Sequence, residues 1–262
     1  MPTRTPKAKI LVRKGQKQFF EDLNREVTIV KEKHHYVADI SKDFSTAYGT
    51  IKKADLKKTG KIKTHTKKEF NIFDASFIDI YKRIKRLPQI IPLKDIGFMI
   101  AKTGIGKESI VVEGGAGSGA LSIMLSRYCK KVYSYEIKPE HLEVVKNNIK
   151  SLNIKNITLK NKSMYDKIAE KDVDLVCLDL PEPWNAIGPA AKALKQGGFI
   201  INYSPTIMQT ADFVNALLKR DDFIHLETAE IIERKWEVEK RKVRPISKAN
   251  IHSGFLSIGR RI

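Results

Sequence analysis

Apolar and polar positions follow two different rhythms along this chain. Over the first seventy or so residues the apolar runs are short and β-like, with turn punctuation at Gly15, Gly49 and Gly60. Residues 27–30 and 36–40 read as strand pieces there. Residues 73–86 have the spacing of an amphipathic helix that ends near Pro88. This predicts a boundary near residue 75, between a β-rich N-terminal domain (1–75) and a second domain (76–262). From about residue 109 a strand–turn–helix–strand order sets in and repeats. The predicted strands are 109–113, 131–137, 157–159, 174–180 and 198–203, and residues 225–236 and 255–261 form a closing pair. The predicted helices are 120–128, 139–152, 184–194 and 206–218, the second with Pro139 in its first turn. Alternation of this kind predicts an α/β fold, a mostly parallel sheet with helices on both faces.

Composition narrows the class. A chain of 262 residues accommodates one large α/β domain and a small appendage. With 42% hydrophobic and 30% charged residues it is globular rather than disordered. The charge is lopsided: 49 Lys and Arg against 30 Asp and Glu, a net +19, which is costly in self-repulsion and points to a polyanionic partner. Lys52, Lys53, Lys57, Lys58, Lys61, Lys63, Lys67 and Lys68 concentrate it in the N-terminal part. That stretch reads either as a solvated face or as a nucleic-acid surface. Two cysteines, Cys129 and Cys177, exclude a disulfide framework, read as small core residues, and fit a reducing, cytoplasmic compartment. The six histidines show no metal-ligand spacing, so no metal site is expected. No apolar run is long enough to span a membrane, and the opening Met-Pro-Thr-Arg-Thr-Pro-Lys lacks the apolar core of a secretory signal.

The sharpest motif is Glu113-Gly114-Gly115-Ala116-Gly117-Ser118-Gly119, which leaves a predicted strand and enters a predicted helix. Glycines there permit a tight turn and close approach of a ligand to the backbone. A second acid, Glu136, ends the next strand, where a carboxylate can accept bonds from ribose hydroxyls. The alternatives are a glycine-rich turn without a ligand and a dinucleotide site. The dinucleotide fingerprint requires Gly-x-Gly-x-x-Gly, whereas Gly-x-Gly-x-Gly stands here. Glu-x-Gly-x-Gly-x-Gly resembles motif I of the S-adenosylmethionine-dependent methyltransferases. Further on, Asp179-Leu180-Pro181-Glu182-Pro183-Trp184 stands at the carboxyl end of the fourth predicted strand, the edge that lines the ligand crevice in a doubly wound sheet. Two prolines stiffen it. Trp184 reads as a wedge, a base-stacking ring or a core residue.

Asp-Leu-Pro-x-Pro-Trp resembles motif IV of the tRNA (adenine-N1)-methyltransferases that act at T-loop positions 57 and 58. Residues 86–95, Tyr203-Ser204-Pro205-Thr206-Ile207-Met208-Gln209, and Arg234-Lys235-Trp236, Val243-Arg244-Pro245 and His252-Ser253-Gly254-Phe255-Leu256 are similar to that family's other elements, in order. The resemblance implies a Rossmann-like seven-stranded sheet ending in an antiparallel pair, behind a small β-rich domain that helps to hold tRNA. It implies S-adenosylmethionine as cofactor, tRNA as partner and a homotetramer. Ile91, Glu113, Gly115, Gly117, Ser118, Gly119, Ala120, Leu121, Glu136, Ser163, Met164 and Asp179 are its cofactor-binding candidates. Asp179 and Tyr203 are the catalytic candidates. Lys57, Lys58, Lys61, Lys63, Arg244 and His252 are the nucleic-acid candidates. The chain departs from the family where Pro92 and Leu93 replace an aromatic residue and proline before Lys94-Asp95, and where Ser163-Met164 replaces an acid. The expected reaction is methyl transfer to N1 of adenine. Position 57, position 58 or both remain open. A class I enzyme acting on protein (isoaspartyl-type) or a small molecule, and a non-catalytic tRNA-binding subunit, are the competing readings.

Overall fold

The computed structural model describes residues 8–247 and 252–262; the opening residues read above as lacking a signal lie outside the described residues. The chain divides into two compact units, Met1–Arg83 and Ile84–Ile262.

The first unit is β-rich. Its strands are β1 (Lys9–Arg13), β2 (Gln16–Phe20), β3 (Arg25–Val30), β4 (Lys33–Val37), β5 (Phe44–Thr46), β6 (Gly49–Ile51), β7 (Gly60–Lys63) and β8 (Glu69–Asp74), with short helices α1 (Lys53–Leu56) and α2 (Phe77–Tyr81). Four strands form an antiparallel sheet in the order β4-β1-β8-β7, while β2–β3 and β5–β6 are hairpins. Leu11, Val37, Ile62, Phe70 and Ile72 meet from the four sheet strands, with Ile51 and Leu56, in one apolar core. On the edge strand β7, Ile62 points inward and Lys61 and Lys63 are exposed, as the two-residue period requires. The buried Lys9 is satisfied by the Lys58 carbonyl at 2.9 Å and the Asp74 carboxylate at 2.7 Å. The helix expected over 73–86 is much shorter. Phe73 and Asp74 still pair with Ile10 and Lys9 in the sheet. The helix starts only after Ser76, whose hydroxyl and backbone N–H both donate to the Asp79 carboxylate, a capping box.

The second unit runs α3 (Leu93–Thr103), β9 (Ile110–Gly114), α4 (Ala120–Leu125), β10 (Lys131–Tyr135), α5 (Pro139–Ser151), β11 (Ile157–Lys160), β12 (Val173–Leu178), α6 (Ile187–Ala193), β13 (Leu194–Ser204), α7 (Ile207–Leu218), β14 (Phe223–Glu230), β15 (Trp236–Glu239), β16 (Lys242–Pro245) and β17 (Phe255–Arg261). Seven strands form one sheet in the order β11-β10-β9-β12-β13-β17-β14. The five on the β11 side are parallel, and β17 lies antiparallel to both of its neighbours. This is the expected Rossmann-like sheet with its closing antiparallel pair. The chain steps from β9 to β10 on one side and returns to β12 on the other, so a crevice opens beyond the carboxyl ends of β9 and β12. Cys129 and Cys177 are free and buried.

Four local differences from the sequence reading have physical causes. Helix α3 was not anticipated; Ile96 and Met99 form its buried face, Pro92 precedes it and a left-handed Gly104 ends it. The strand expected over 225–236 stops at Glu230, where the alternation of buried and exposed residues ends, and a separate β15–β16 hairpin follows. The helix expected at 184–194 is a 3₁₀ turn, Pro183–Ala186, continued by α6. Strand β13 begins at Leu194 rather than 198, with a register shift opposite Val173 and Leu175.

Candidate active site

The glycine-rich turn leaves β9 beneath the start of the Asp179 loop. Gly115 adopts φ +85°, and a Cβ on it would lie 2.0 Å from the Asp179 carbonyl oxygen. No side chain fits there, so the backbones of two motifs distant in sequence touch at this glycine. The Asp179 N–H donates to the Gly114 carbonyl at 3.0 Å and fixes the same junction. A Cβ on Gly114 would strike the Met164 sulfur at 2.5 Å, which seats Met164 beneath the turn.

Three carboxylates converge around this junction in different environments. Glu113 is fully buried, accepts a 2.5 Å bond from the Ser134 hydroxyl, and has its pKa raised to about 8, chiefly by burial. Glu136 accepts three backbone N–H groups, from Gly117 at 2.9 Å and from Ile137 and Lys138 at 3.0 Å each. His141 stands 3.5 Å from the oxygen that accepts the Gly117 N–H. Asp179 is partly buried at the crevice and its pKa is raised to about 7, first by desolvation and then by the negative Glu136.

The crevice has three connected parts that share Gly115. One, about 210 Å³, is walled by Ile137, Ser163, Met164 and Leu180 beside Glu136, and is predominantly apolar. A second is lined by Ile91, Glu113, Gly117, Ser118, Ala120, Leu121 and Asp179. The third, about 470 Å³, runs from Glu136 and Asp179 to Pro205 and Gln209. Ser118 supplies an observation that points to a ligand. Its hydroxyl is buried and has no protein partner, on the wall of the second part. An apolar slot for a flat ring, an acid beside it for hydroxyls and an unpaired hydroxyl at the other end match a nucleoside joined to an amino acid. The residues present therefore fit the cofactor the fingerprint implies.

Not every candidate faces this crevice. Gly119 turns toward helix α5, where a Cβ would meet the Val145 side chain at 2.9 Å, so its requirement is helix packing. Trp184 packs against the core of the sheet rather than entering the crevice. The Tyr203 hydroxyl donates to the Ser253 carbonyl at 2.6 Å, and burial raises its pKa to about 12. Arg244 is paired with Glu237 at 3.0 Å on the β15–β16 hairpin. His252 is held between Glu230 and the Pro205 carbonyl. Lys58 and Lys61 pair with Asp55 and Glu69 on the first unit. Among the described residues no group of His, Cys, Asp and Glu could hold a metal ion, and no helix is long and apolar enough to cross a membrane.

Sequence reasoning missed Asn148. From α5 its amide donates to the Ser118 carbonyl at 2.8 Å and the Lys85 carbonyl at 2.9 Å, and its oxygen accepts from Lys85 N–H. It joins the glycine turn to the segment leading into Pro88 and Gln89. A buried polar position on an otherwise apolar helix face was the only available signal. Asn161 was also missed; its amide donates to the carbonyls of Glu136 and Ile137 and anchors the acid that ends β10.

Residues 82–254 match the model of the family described as tRNA methyltransferase complex GCD14 subunit. A Methanocaldococcus jannaschii protein, the tRNA (adenine(57)-N(1)/adenine(58)-N(1))-methyltransferase TrmI, is 34% identical, over 83% of this chain and 87% of its own. The tRNA (adenine(58)-N(1))-methyltransferase TrmI of Thermus thermophilus is 30% identical, over 77% of this chain and 81% of its own. Among solved structures, a SAM-dependent O-methyltransferase from Thermotoga maritima superposes with a TM-score of 0.80 at 26% identity, covering 99% of this chain and 95% of that one.

Proposed function

The chain belongs to the tRNA methyltransferase family of the GCD14 subunit, and from that premise we propose that its crevice methylates N1 of adenine in the T-loop of tRNA, at position 58, with position 57 as the second site to test. It is an S-adenosylmethionine-dependent methyltransferase, and the cofactor supplies a methyl group already activated by an adjacent positive sulfur. Glu136 would hold the ribose end, Ile137, Met164 and Leu180 would hold the flat ring, and Ser118 would provide a hydroxyl for the amino-acid end. The carboxylate of Asp179, between this part and the passage lined by Pro205 and Gln209, faces the acceptor. N1 carries a lone pair, and bonding it to carbon leaves the base positively charged. Asp179 stabilises that charge and can accept the proton that the exocyclic amine then sheds. N1 lies on the pairing edge, so the base must be unstacked before it enters. The net +19 charge draws the phosphates in, an attraction that salt weakens.

The observation that supports the reading is the close approach of Gly115 to the Asp179 carbonyl, which brings the glycine-rich turn and the Asp179 loop to one point. The proposal includes the homo-oligomer and the cytoplasmic location. An apolar hairpin face of exposed Trp236, Val238 and Val243 supports self-association. The decisive experiment is transfer from labelled S-adenosylmethionine to an unmodified tRNA transcript, followed by mapping of N1-methyladenine. Label in protein or small molecules but none in tRNA would overturn the proposal and favour the enzyme class represented by the O-methyltransferase neighbour.

A further inference from the structure

The residues His252, Ser253 and Gly254 precede β17 and are tied to three other elements. At the start of α3, Lys94 donates to the Asp95 carboxylate at 3.0 and 3.1 Å, to the Ile231 carbonyl at 2.5 Å and to the Ser253 hydroxyl at 2.5 Å. The Ser253 hydroxyl in turn donates to Asp95 at 2.8 Å. Asp95 is entirely buried and Lys94 nearly so. The Ser253 carbonyl accepts the Tyr203 phenol. The next residue has no side chain for a reason: a Cβ on Gly254 would lie 2.6 Å from the Tyr203 ring. On the other side, His252 Nδ1 is 2.6 Å from Glu230 and Nε2 is 3.1 Å from the Pro205 carbonyl. Both partners only accept, so the two bonds are complete only when both ring nitrogens carry a hydrogen, an arrangement that favours the imidazolium.

A buried ion pair contributes little net stability compared with apolar packing, but its directional bonds select one arrangement of the chain. Here the arrangement selected is one wall of the acceptor passage. Pro205 lines that passage beside Asp179, and Tyr203 is two residues before it at the end of β13.

We propose that residues 252–254 form a latch that positions the acceptor wall: Ser253, locked between Lys94 and Asp95, fixes the Tyr203 ring, and the His252 imidazolium fixes Pro205. These are positioning residues, and the assignment rests on the methyl-transfer reading above. Tyr203 then bears on the passage only through Pro205, two residues on, because its hydroxyl is consumed by the latch. The charged and titratable groups facing His252 are Glu230 from the end of β14, which supports the cation, and Lys94 from α3, which opposes it. Tyr203, from β13, titrates only at about 12 and stays neutral.

The test is single-turnover methylation of a tRNA transcript at saturating cofactor, with cofactor and tRNA affinities and melting temperature measured alongside. Ser253→Ala, which leaves the ion pair intact, should slow transfer on the order of 10- to 100-fold with both affinities unchanged. Ser253→Thr, which keeps the hydroxyl, should restore it. In the wild type the rate should fall on the alkaline side as His252 loses its proton, and His252→Gln should abolish that limb. Wild-type speed in Ser253→Ala, or loss of rate in step with both affinities and melting temperature, would overturn the latch. Absence of tRNA methylation by the wild type would instead overturn the underlying reading, and the latch with it.

Discussion

Replacing Gly115 with alanine isolates the junction on which the site depends. The added Cβ would sit 2.0 Å from the Asp179 carbonyl oxygen and 3.0 Å from its carbon, both backbone atoms. Separations below 3.0 Å are essentially never seen, so the Asp179 segment must retreat by about 1 Å. It cannot simply rotate, because its N–H is bonded to Gly114. The φ of +85° adds backbone strain of about 1–3 kcal/mol for any residue with a side chain. A displacement of about 1 Å at an acceptor-facing group can cost on the order of 10²-fold in rate. Gly115→Ala should therefore weaken cofactor binding and slow single-turnover transfer by about that factor, while circular dichroism shows the fold retained. Gly104→Ala, at the end of α3 and outside the crevice, is the matched control. Its φ is +61° and a Cβ there would meet nothing within 4 Å, so only left-handed strain of about 1–2 kcal/mol remains. Calorimetric cofactor titration and rapid-quench methylation measure both variants. Wild-type affinity and rate in Gly115→Ala would refute the claim that this contact sets the geometry.

Asp179→Asn keeps shape and removes charge, and should lower the single-turnover rate on the order of 10²–10³-fold at saturating cofactor, with tRNA binding retained. Because Asp179 has its pKa raised to about 7, the wild-type rate should rise with pH through that value as the carboxylate ionises, and the rise should be absent in Asp179→Asn. Glu113, raised to about 8 by burial, gives the opposite trend for stability: its neutral form stabilises the fold fully below pH 4.5 and progressively less up to about 8. Urea unfolding of Glu113→Gln should therefore lose part of the decline between pH 5 and about 8 that the wild type shows. Lys58 and Lys61 already have acid partners, whereas Lys57 and Lys63 have no ion pair among the described residues. Lys57→Ala with Lys63→Ala should accordingly flatten the salt dependence of tRNA binding by up to about two units of slope without changing cofactor affinity, and titration at several salt concentrations reads this directly.

The parallel sheet was legible because its strands are short apolar runs bounded by turns, and the two motifs sit where such a sheet exposes its ligand edge. Asp179, Glu113 and Glu136 come together at that edge for that reason. Helix α3 was hidden by Gly97 in its middle; the β-rich character of the first unit was legible, but strands such as β7, whose outward face is Lys61 and Lys63, were not. What sequence could not give is which atoms compete for a side chain. Tyr203 and His252 have residue types suited to substrate contact, yet their polar atoms are taken by Ser253 and by Glu230 and Pro205, while Arg244 gives only its Nε to Glu237. Gly119 matches the fingerprint but answers to helix packing. Asn148 and Asn161 carry no motif, because their work is done on backbone carbonyls that any residue possesses.

The three crevice acids show how one small volume assigns different charge states to like groups. If all were ionised, mutual repulsion at low dielectric would be severe. Burial keeps Glu113 neutral at neutral pH, where its proton can serve one bond and its second oxygen can accept from Ser134. Glu136 differs from Glu113 in accepting three backbone N–H groups. Its charge is one of the two causes that push Asp179 up to about 7. Asp179 is thus left at the edge of ionisation, the member whose state a nearby charge can change most easily. A base that becomes cationic on methylation supplies such a charge, and attracts the ionised Asp179 carboxylate more strongly as the product forms. The interaction is therefore stronger after the N1–carbon bond begins to form than before it, which is the condition for accelerating the reaction rather than merely binding the base.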